Sequence, residues 1–192
     1  MVIVSGPSGA GKTTLLERVY QQCPLPLVAS ISATTRPPRP GERDGVDYYF
    51  LSREEFASRR ATGEFLESCE VFGQGDWYGT LRSEVTPSLA AGKWVVLEID
   101  VQGTRAVLQH YPQAVTIFVE PGSVAELERR LRDRGTENDA ALRRRLDVAR
   151  RELAAADLYR HRVINDDIDR ATREICDILK RADSHHAGEH SE

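Results

Sequence analysis

The stretch Gly6-Pro7-Ser8-Gly9-Ala10-Gly11-Lys12-Thr13 stands almost at the amino terminus, directly behind the apolar run Val2-Ile3-Val4. It satisfies the pattern G-x-x-x-x-G-K-[ST] at every fixed position, and the amphipathic Thr14-Leu15-Leu16-Glu17-Arg18-Val19-Tyr20 comes directly after it. Strand, glycine-rich turn and helix in that order give the pattern a mechanical meaning. Glycines let successive backbone N–H groups turn inward around a polyphosphate, Lys12 adds a cation, and the Thr13 hydroxyl can ligate magnesium. Gly6, Ser8, Gly9, Ala10, Gly11, Lys12, Thr13 and Thr14 are therefore expected to hold a nucleoside triphosphate. The loop does not name the acceptor, because many phosphotransferases share it.

A chain of 192 residues can bury one substantial core, so a single domain with inserts is expected. Its net charge of −4 shows no basic excess of the kind that points to nucleic acid, so phosphate binding must be local. Cys23, Cys69 and Cys176 are widely spaced, without a C-x-x-C pair, which suggests free thiols in a reducing compartment rather than disulfides or zinc. Met1 runs straight into the first strand and no apolar run approaches the length of a membrane span. A cytoplasmic location is expected, with small molecules rather than nucleic acid or membrane as partners.

Pro24 and Pro26 break the chain after the first helix, and Leu27-Val28-Ala29-Ser30-Ile31-Ser32 then reads as one short strand. In Thr34-Thr35-Arg36-Pro37-Pro38-Arg39-Pro40-Gly41-Glu42 the prolines forbid a helix and hold two arginines on stiff, extended backbone, which suits phosphate recognition. Taken alone, the segment reads equally well as a solvated loop or a P-x-x-P ligand. Asp47-Tyr48-Tyr49-Phe50-Leu51 is β-prone, and Ser52-Arg53-Glu54-Glu55 has the capping-box form that opens a helix through about Ala61. Glu64-Phe65-Leu66-Glu67-Ser68 and Asp76-Trp77-Tyr78-Gly79-Thr80 bracket Gly73-Gln74-Gly75 in the manner of a hairpin. Residues 32–80 thus read as a strand-and-loop insert between two α/β units.

A helix is expected from Leu81 to Ala91, and Lys93-Trp94-Val95-Val96-Leu97-Glu98-Ile99-Asp100 is too continuously apolar for an exposed edge strand. Asp100, at its carboxyl end, is the residue type and place of an acid that supports magnesium alongside Thr13. A helix to about His110 comes next, then a buried strand, Ala114-Val115-Thr116-Ile117-Phe118-Val119. Ser123-Val124-Ala125-Glu126 is a second capping box, opening a helix to about Arg132. Arg129, Arg130, Arg132 and Arg134 precede Gly135, and Arg143, Arg144 and Arg145 come after it among Asp139, Asp147 and Glu152. Most of these charges fit solvation and i,i+4 pairing, yet arginines on both arms of a helix–turn–helix also fit a closing lid. His161-Arg162-Val163-Ile164-Asn165 reads as the last strand, and a helix from Ile168 to about Arg181 buries Ala171, Ile175, Ile178 and Leu179. The polar tail from Asp183 to Glu192 is expected to be disordered.

Assembled in this order, the residues from Val2 to about Arg181 resemble the guanylate kinase family. Ser32-Ala33-Thr34-Thr35-Arg36-Pro37-Pro38-Arg39-Pro40-Gly41-Glu42 looks like its T-T-R-x-P-R-x-G-E signature, with Asp47-Tyr48 shortly after. Glu64-Phe65-Leu66-Glu67, Tyr78-Gly79-Thr80, Ile99-Asp100-Val101-Gln102-Gly103, Arg134-Gly135-Thr136-Glu137 and Ile164-Asn165-Asp166-Asp167 are further matches. The resemblance implies an α/β chain: a P-loop three-layer α/β/α core with a central parallel sheet, covering about residues 1–31, 81–122 and 156–182. It also implies a mixed, strand-rich GMP-binding insert over about 32–80 and a helical lid over about 123–155.

The implied reaction is magnesium-dependent phosphoryl transfer from ATP to GMP or dGMP. By matched position, Arg36, Arg39, Tyr48 and Tyr78 would hold the GMP phosphate, and Ser32, Glu67, Thr80 and Glu98 would lie on the guanine side. Lys12, Arg39, Arg130, Arg134 and Arg145 would surround the transferring group, Asn165 would lie by the adenine of ATP, and Thr13 and Asp100 would serve the metal. Guanine offers N1–H and its 2-amino group as adjacent donors, which a carboxylate such as Glu67 can accept, while hydroxyls at Ser32 and Thr80 can donate to O6. The chain departs from many members in carrying Glu98 where they have Asp, and in a longer turn at Gly73-Gln74-Gly75-Asp76. Two other readings stand beside this one: a non-catalytic interaction domain of the same fold, and another small P-loop kinase, such as a ribose bisphosphate kinase or an adenylate kinase.

Overall fold

The computed structural model describes residues 1–71, 75–133 and 139–189. In chain order the first elements are β1 (Val2–Ser5), α1 (Lys12–Gln22), β2 (Leu27–Ala29), β3 (Ser32–Thr34), β4 (Tyr49–Phe50), α2 (Arg53–Ala61), β5 (Phe65–Val71) and β6 (Asp76–Leu81). After these come α3 (Arg82–Ala90), β7 (Trp94–Glu98), α4 (Val101–His110), β8 (Val115–Pro121), α5 (Val124–Asp133), α6 (Asp139–Ala154), β9 (His161–Asn165) and α7 (Ile168–Glu189). Parallel strands alternating with helices, and a separate mixed sheet, give the α/β class expected from the sequence. The chain divides into two compact units, one of residues 27–114 with Met1, the other of residues 2–26 and 115 onward.

In the first unit β2 lies parallel to β7, with Leu27 opposite Trp94 and Ala29 opposite Val96. The single strand expected over Leu27–Ser32 is in fact two, because the chain leaves β7 after Ala29 and re-enters a different sheet at Ser32. That second sheet has the order β4-β3-β6-β5. Its strands β3 and β6 run antiparallel, placing Ser32 opposite Thr80. Strands β5 and β6 pair Phe65 with Leu81 and then Glu67 with Thr80, so Leu66 is an extra residue, a bulge that re-aims the side chains beyond it. Gly79 makes room for this bulge: a Cβ there would lie 2.8 Å from the Phe65 ring and 2.9 Å from the Glu67 carbonyl. Ala33, Phe56, Phe65 and Leu81 form the small core beneath the sheet, with the Phe56 and Phe65 rings stacked at 4.4 Å.

In the second unit β1 lies parallel to β8, and β8 parallel to β9. All four residues of β1 are buried. Helix α7 presents Ala171, Ile175, Ile178 and Leu179 to the core, as its spacing predicts. It continues to Glu189 rather than ending near Arg181, so the tail expected to be disordered is helical that far. No proline or glycine interrupts Asp183-Ser184-His185-His186-Ala187, so nothing local stops the helix there. Leu127 and Leu131 of α5 cluster with Leu146 and Ala149 of α6. Among the described residues no helix is long and apolar enough to cross a membrane.

Candidate active site

The phosphate loop is shaped by glycine. Gly6 has φ +147° and passes so close to β8 that a Cβ would lie 2.2 Å from the Val119 carbonyl oxygen. Gly11, in the left-handed region at φ 82°, caps α1, whose first turn carries no acidic residue to oppose an anion. The Ala10 N–H closes the turn on the Pro7 carbonyl at 3.0 Å. Lys12 folds back over its own loop, its Nζ donating to the Gly6 carbonyl at 2.7 Å and the Pro7 carbonyl at 3.3 Å. Thr13 and Thr14 are exposed on the first turn of α1.

Three expected residues gather on this loop from distant sequence. Arg130 donates to the Gly9 carbonyl at 3.4 Å and is ion-paired with Glu126, one turn earlier on α5. Arg145, on α6, donates to the Ser8 hydroxyl at 2.8 Å. Asn165, 5% exposed at the end of β9, gives an amide proton to the Ala10 carbonyl at 2.8 Å. The amide expected beside adenine is thus committed to the loop backbone, and a Cβ at Gly11 would meet that amide nitrogen at 2.7 Å. Arg134 lies outside the described residues. Helix α5 reaches the loop with apolar groups as well: a Cβ on Gly9 would lie 2.9 Å from Leu127 and 3.3 Å from Leu131.

The first unit carries the other expected residues. Arg36, 8% exposed, forms a two-pronged ion pair with Glu42, at 2.6 and 2.7 Å. Its Nε donates to the Tyr78 hydroxyl at 3.1 Å and its Nη1 to the Pro37 carbonyl at 2.9 Å. The guanidinium also sits 4.9 Å from the Tyr48 ring centre. The hydrogen bond from Arg36 is the main reason the Glu42 carboxyl is lowered to about 2, and the same pairing raises Arg36. Glu42 further accepts the Arg39 backbone N–H at 2.8 Å, which leaves the Arg39 side chain exposed. Sequence reasoning assigns Glu42 no role; the acid that closes T-T-R-x-P-R-x-G-E is the signal that could have found it. The Tyr48 ring meets Tyr78 edge-on at 6.0 Å, and burial pushes its hydroxyl up, with the Glu98 charge as a second cause. Glu98 itself is exposed at the end of β7.

Glu67 is 7% exposed, and its Oε1 accepts the Thr80 hydroxyl proton at 2.7 Å. Burial pushes its carboxyl up to about 7, the Asp100 charge adds to the shift, and the Thr80 bond opposes it. Gly103 faces the other oxygen, where a Cβ would lie 3.1 Å from Oε2. Thr80 therefore differs from the expectation that it donates to guanine O6, because a threonine hydroxyl has one proton and Glu67 takes it.

Asp100 caps α4, accepting the Gly103 N–H at 2.7 Å, and the Cys69 thiol donates to it at 3.6 Å. Burial, with the charges of Asp100 and Glu67, pushes the Cys69 thiol up and keeps it protonated. Among the described residues no group of three or more His, Cys, Asp or Glu side chains is arranged to hold a metal. An exposed Thr13 hydroxyl and a single carboxylate suit magnesium, which keeps several waters and arrives with nucleotide phosphates rather than in a protein cage.

A family model described as guanylate kinase matches residues 1–182. The chain is 55% identical over 181 residues to the guanylate kinase of Rhodopirellula baltica, covering 93% of this chain and 86% of that protein. It is 49% identical over 171 residues to the guanylate kinase of Thermosynechococcus vestitus, covering 89% of this chain and 88% of that one. The crystal structure of guanylate kinase from Anaplasma phagocytophilum matches with a TM-score of 0.77 at 31% identity, over 94% of this chain and 84% of that chain. With a complete phosphate loop ringed by arginines, and an Arg36–Glu42 and Glu67–Thr80 constellation on the mixed sheet, the chain belongs to the guanylate kinase family.

Proposed function

We propose that this chain is an ATP:GMP phosphotransferase, moving the terminal phosphoryl group of ATP to GMP or dGMP to give ADP and GDP or dGDP. The observation that carries the reading is the intact loop with Lys12, Arg130 and Arg145 all placed on it. A protein-interaction domain of the same fold has no need of these cations at a phosphate loop.

The attacking group is an ionised phosphate oxygen, so no general base is required. The barrier is repulsion between two anions, and it is lowered by positioning and positive charge. In this scheme the loop N–H groups and Lys12 hold the β- and γ-phosphates, and Arg130, Arg134 and Arg145 neutralise charge on the transferring group. Arg36, Arg39, Tyr48 and Tyr78 hold the GMP phosphate. Ionised Glu67 accepts from guanine N1–H and the 2-amino group, with Ser32 and Glu98 on the same side. Asn165 acts by fixing the loop. Thr13 and Asp100 would hold magnesium, which when bound with ATP supplies charge neutralisation at the phosphate oxygens. Residues 32–80 are read as the acceptor insert and 123–155 as a lid that excludes water when it closes. We infer a cytoplasmic setting, in purine nucleotide metabolism, from the free thiols and the substrates.

The test is ADP release from ATP with GMP, dGMP, IMP and AMP offered in parallel. GMP and dGMP should react fast, IMP slowly, and AMP not at all. Lys12→Ala should fold yet lose at least about a hundredfold in kcat, of the order of one electrostatic donor. A well-folded wild-type sample without GMP-dependent ADP release would overturn the proposal.

A further inference from the structure

Thr80 is matched to the guanine side of the site, but the structure gives it no route to a base. Its residue surface is 0% exposed, and its one hydroxyl proton is committed to Glu67 Oε1 at 2.7 Å. The pairing comes from the backbone: the bulge at Leu66 sets Glu67 directly opposite Thr80 in the β5–β6 ladder. On its other side the carboxylate lies against the bare backbone of Gly103, 3.1 Å from where a Cβ would stand. Asp100 at the start of α4 and Cys69 on β5 are the other polar groups that act on Glu67.

We infer that Thr80 is a positioning residue that reads the base only through Glu67. Its hydroxyl holds Oε1, so that the carboxylate is presented in one orientation to the N1–H and 2-amino pair of guanine. Ser32, which pairs with Thr80 across β3 and β6 and keeps part of its surface exposed, is then the hydroxyl placed to donate to O6. The inference rests on the reading that Glu67 receives the guanine edge.

Hypoxanthine separates a role through Glu67 from a direct one. IMP shares O6 and N1–H with GMP and lacks the 2-amino group, so it makes one bond to Glu67 where GMP makes two. If Thr80 acts through Glu67, Thr80→Val should weaken GMP more than IMP. The ratio of their dissociation constants, measured by titration calorimetry without ATP, should then fall about tenfold, the order of one hydrogen bond to a charged group. Thr80→Ser, which keeps the donor, should restore the ratio. If Thr80 instead donated to O6, both nucleotides would weaken alike and the ratio would stay constant, which overturns the inference. Should Thr80→Val fail to fold, Thr80→Cys, with its weak S–H donor, must lower the ratio in the same direction, and an unchanged ratio overturns it again. Glu67→Ala is the control. If that variant keeps the GMP preference, the reading of Glu67 itself fails; if it loses the preference while Thr80→Val keeps it, only the inference on Thr80 fails.

Discussion

The carboxylate of Glu42 closes the fork of Arg36 and also takes the Arg39 N–H, so one acid organises two arginines of the proposed phosphate site. Glu42→Ala leaves a nearly buried guanidinium without its anion. It should cost about 3 kcal/mol in denaturant unfolding and raise the KM for GMP while sparing that for ATP. Because folding depresses this carboxyl from its usual 4.5 to about 2, its contribution to stability is complete above pH 4.5 and is lost as pH falls towards 2. A wild-type stability curve should therefore fall across that interval, and Glu42→Gln should flatten it. Glu67 has the opposite sign. Its folded value of about 7 lies above the usual 4.5, so it favours the folded state below pH 4.5 and the benefit disappears as pH rises through 7. GMP needs the ionised form, so its affinity should rise over the same interval, with proton release that calorimetry in two buffers detects and Glu67→Gln removes. None of this pairing was legible in the residues one at a time. Arg36, Arg39 and Glu67 stand out in sequence by type and motif, whereas the partner that takes up a given proton depends on where a turn or a bulge brings it.

The bulge at Leu66 is the element that decides the acceptor cluster, and it depends on Gly79 lacking a side chain. Gly79→Ala would drive a methyl into the Phe65 ring and the Glu67 carbonyl, forcing β5 away from β6. The expected result is at least a tenfold weaker GMP dissociation constant with an unchanged ATP constant, the scale of about 1.4 kcal/mol; equal losses for both nucleotides would contradict it. A one-residue insertion leaves no mark on hydrophobic periodicity, because Phe65 and Leu66 are both buried and alternation resumes at Glu67. The break at Ser30-Ile31 was hidden for a similar reason. Both sides of it are β-prone, and only pairing partners tell one strand from two. Helix starts were more legible, since Ser52 and Ser123 cap α2 and α5 by accepting the N–H three residues on, as their capping boxes foretell.

For the molecule as a whole, the two sets of nucleotide-facing residues fall in different compact units, with Lys12, Arg130, Arg145 and Asn165 in one and Arg36, Glu42, Glu67 and Thr80 in the other. Each nucleotide alone should therefore raise the melting temperature, by about 2.7 kcal/mol of linkage at a hundredfold excess over its dissociation constant. Lys12→Ala should abolish the ATP effect and keep the GMP effect. The α/β class and the loop were legible because strand–loop–helix punctuation is local and glycine has few substitutes where φ is positive. The hydrogen-bond network around Glu67, Asp100 and Asn165 was not, being set by contacts between residues far apart in sequence. The contact of Gly9 with Leu127 and Leu131 carries a consequence for inheritance. Position 9 is held to glycine from outside the loop, by two leucines on a helix more than a hundred residues downstream. A lineage that enlarges residue 9 must first shrink its neighbours on α5, so these three positions should drift together or not at all.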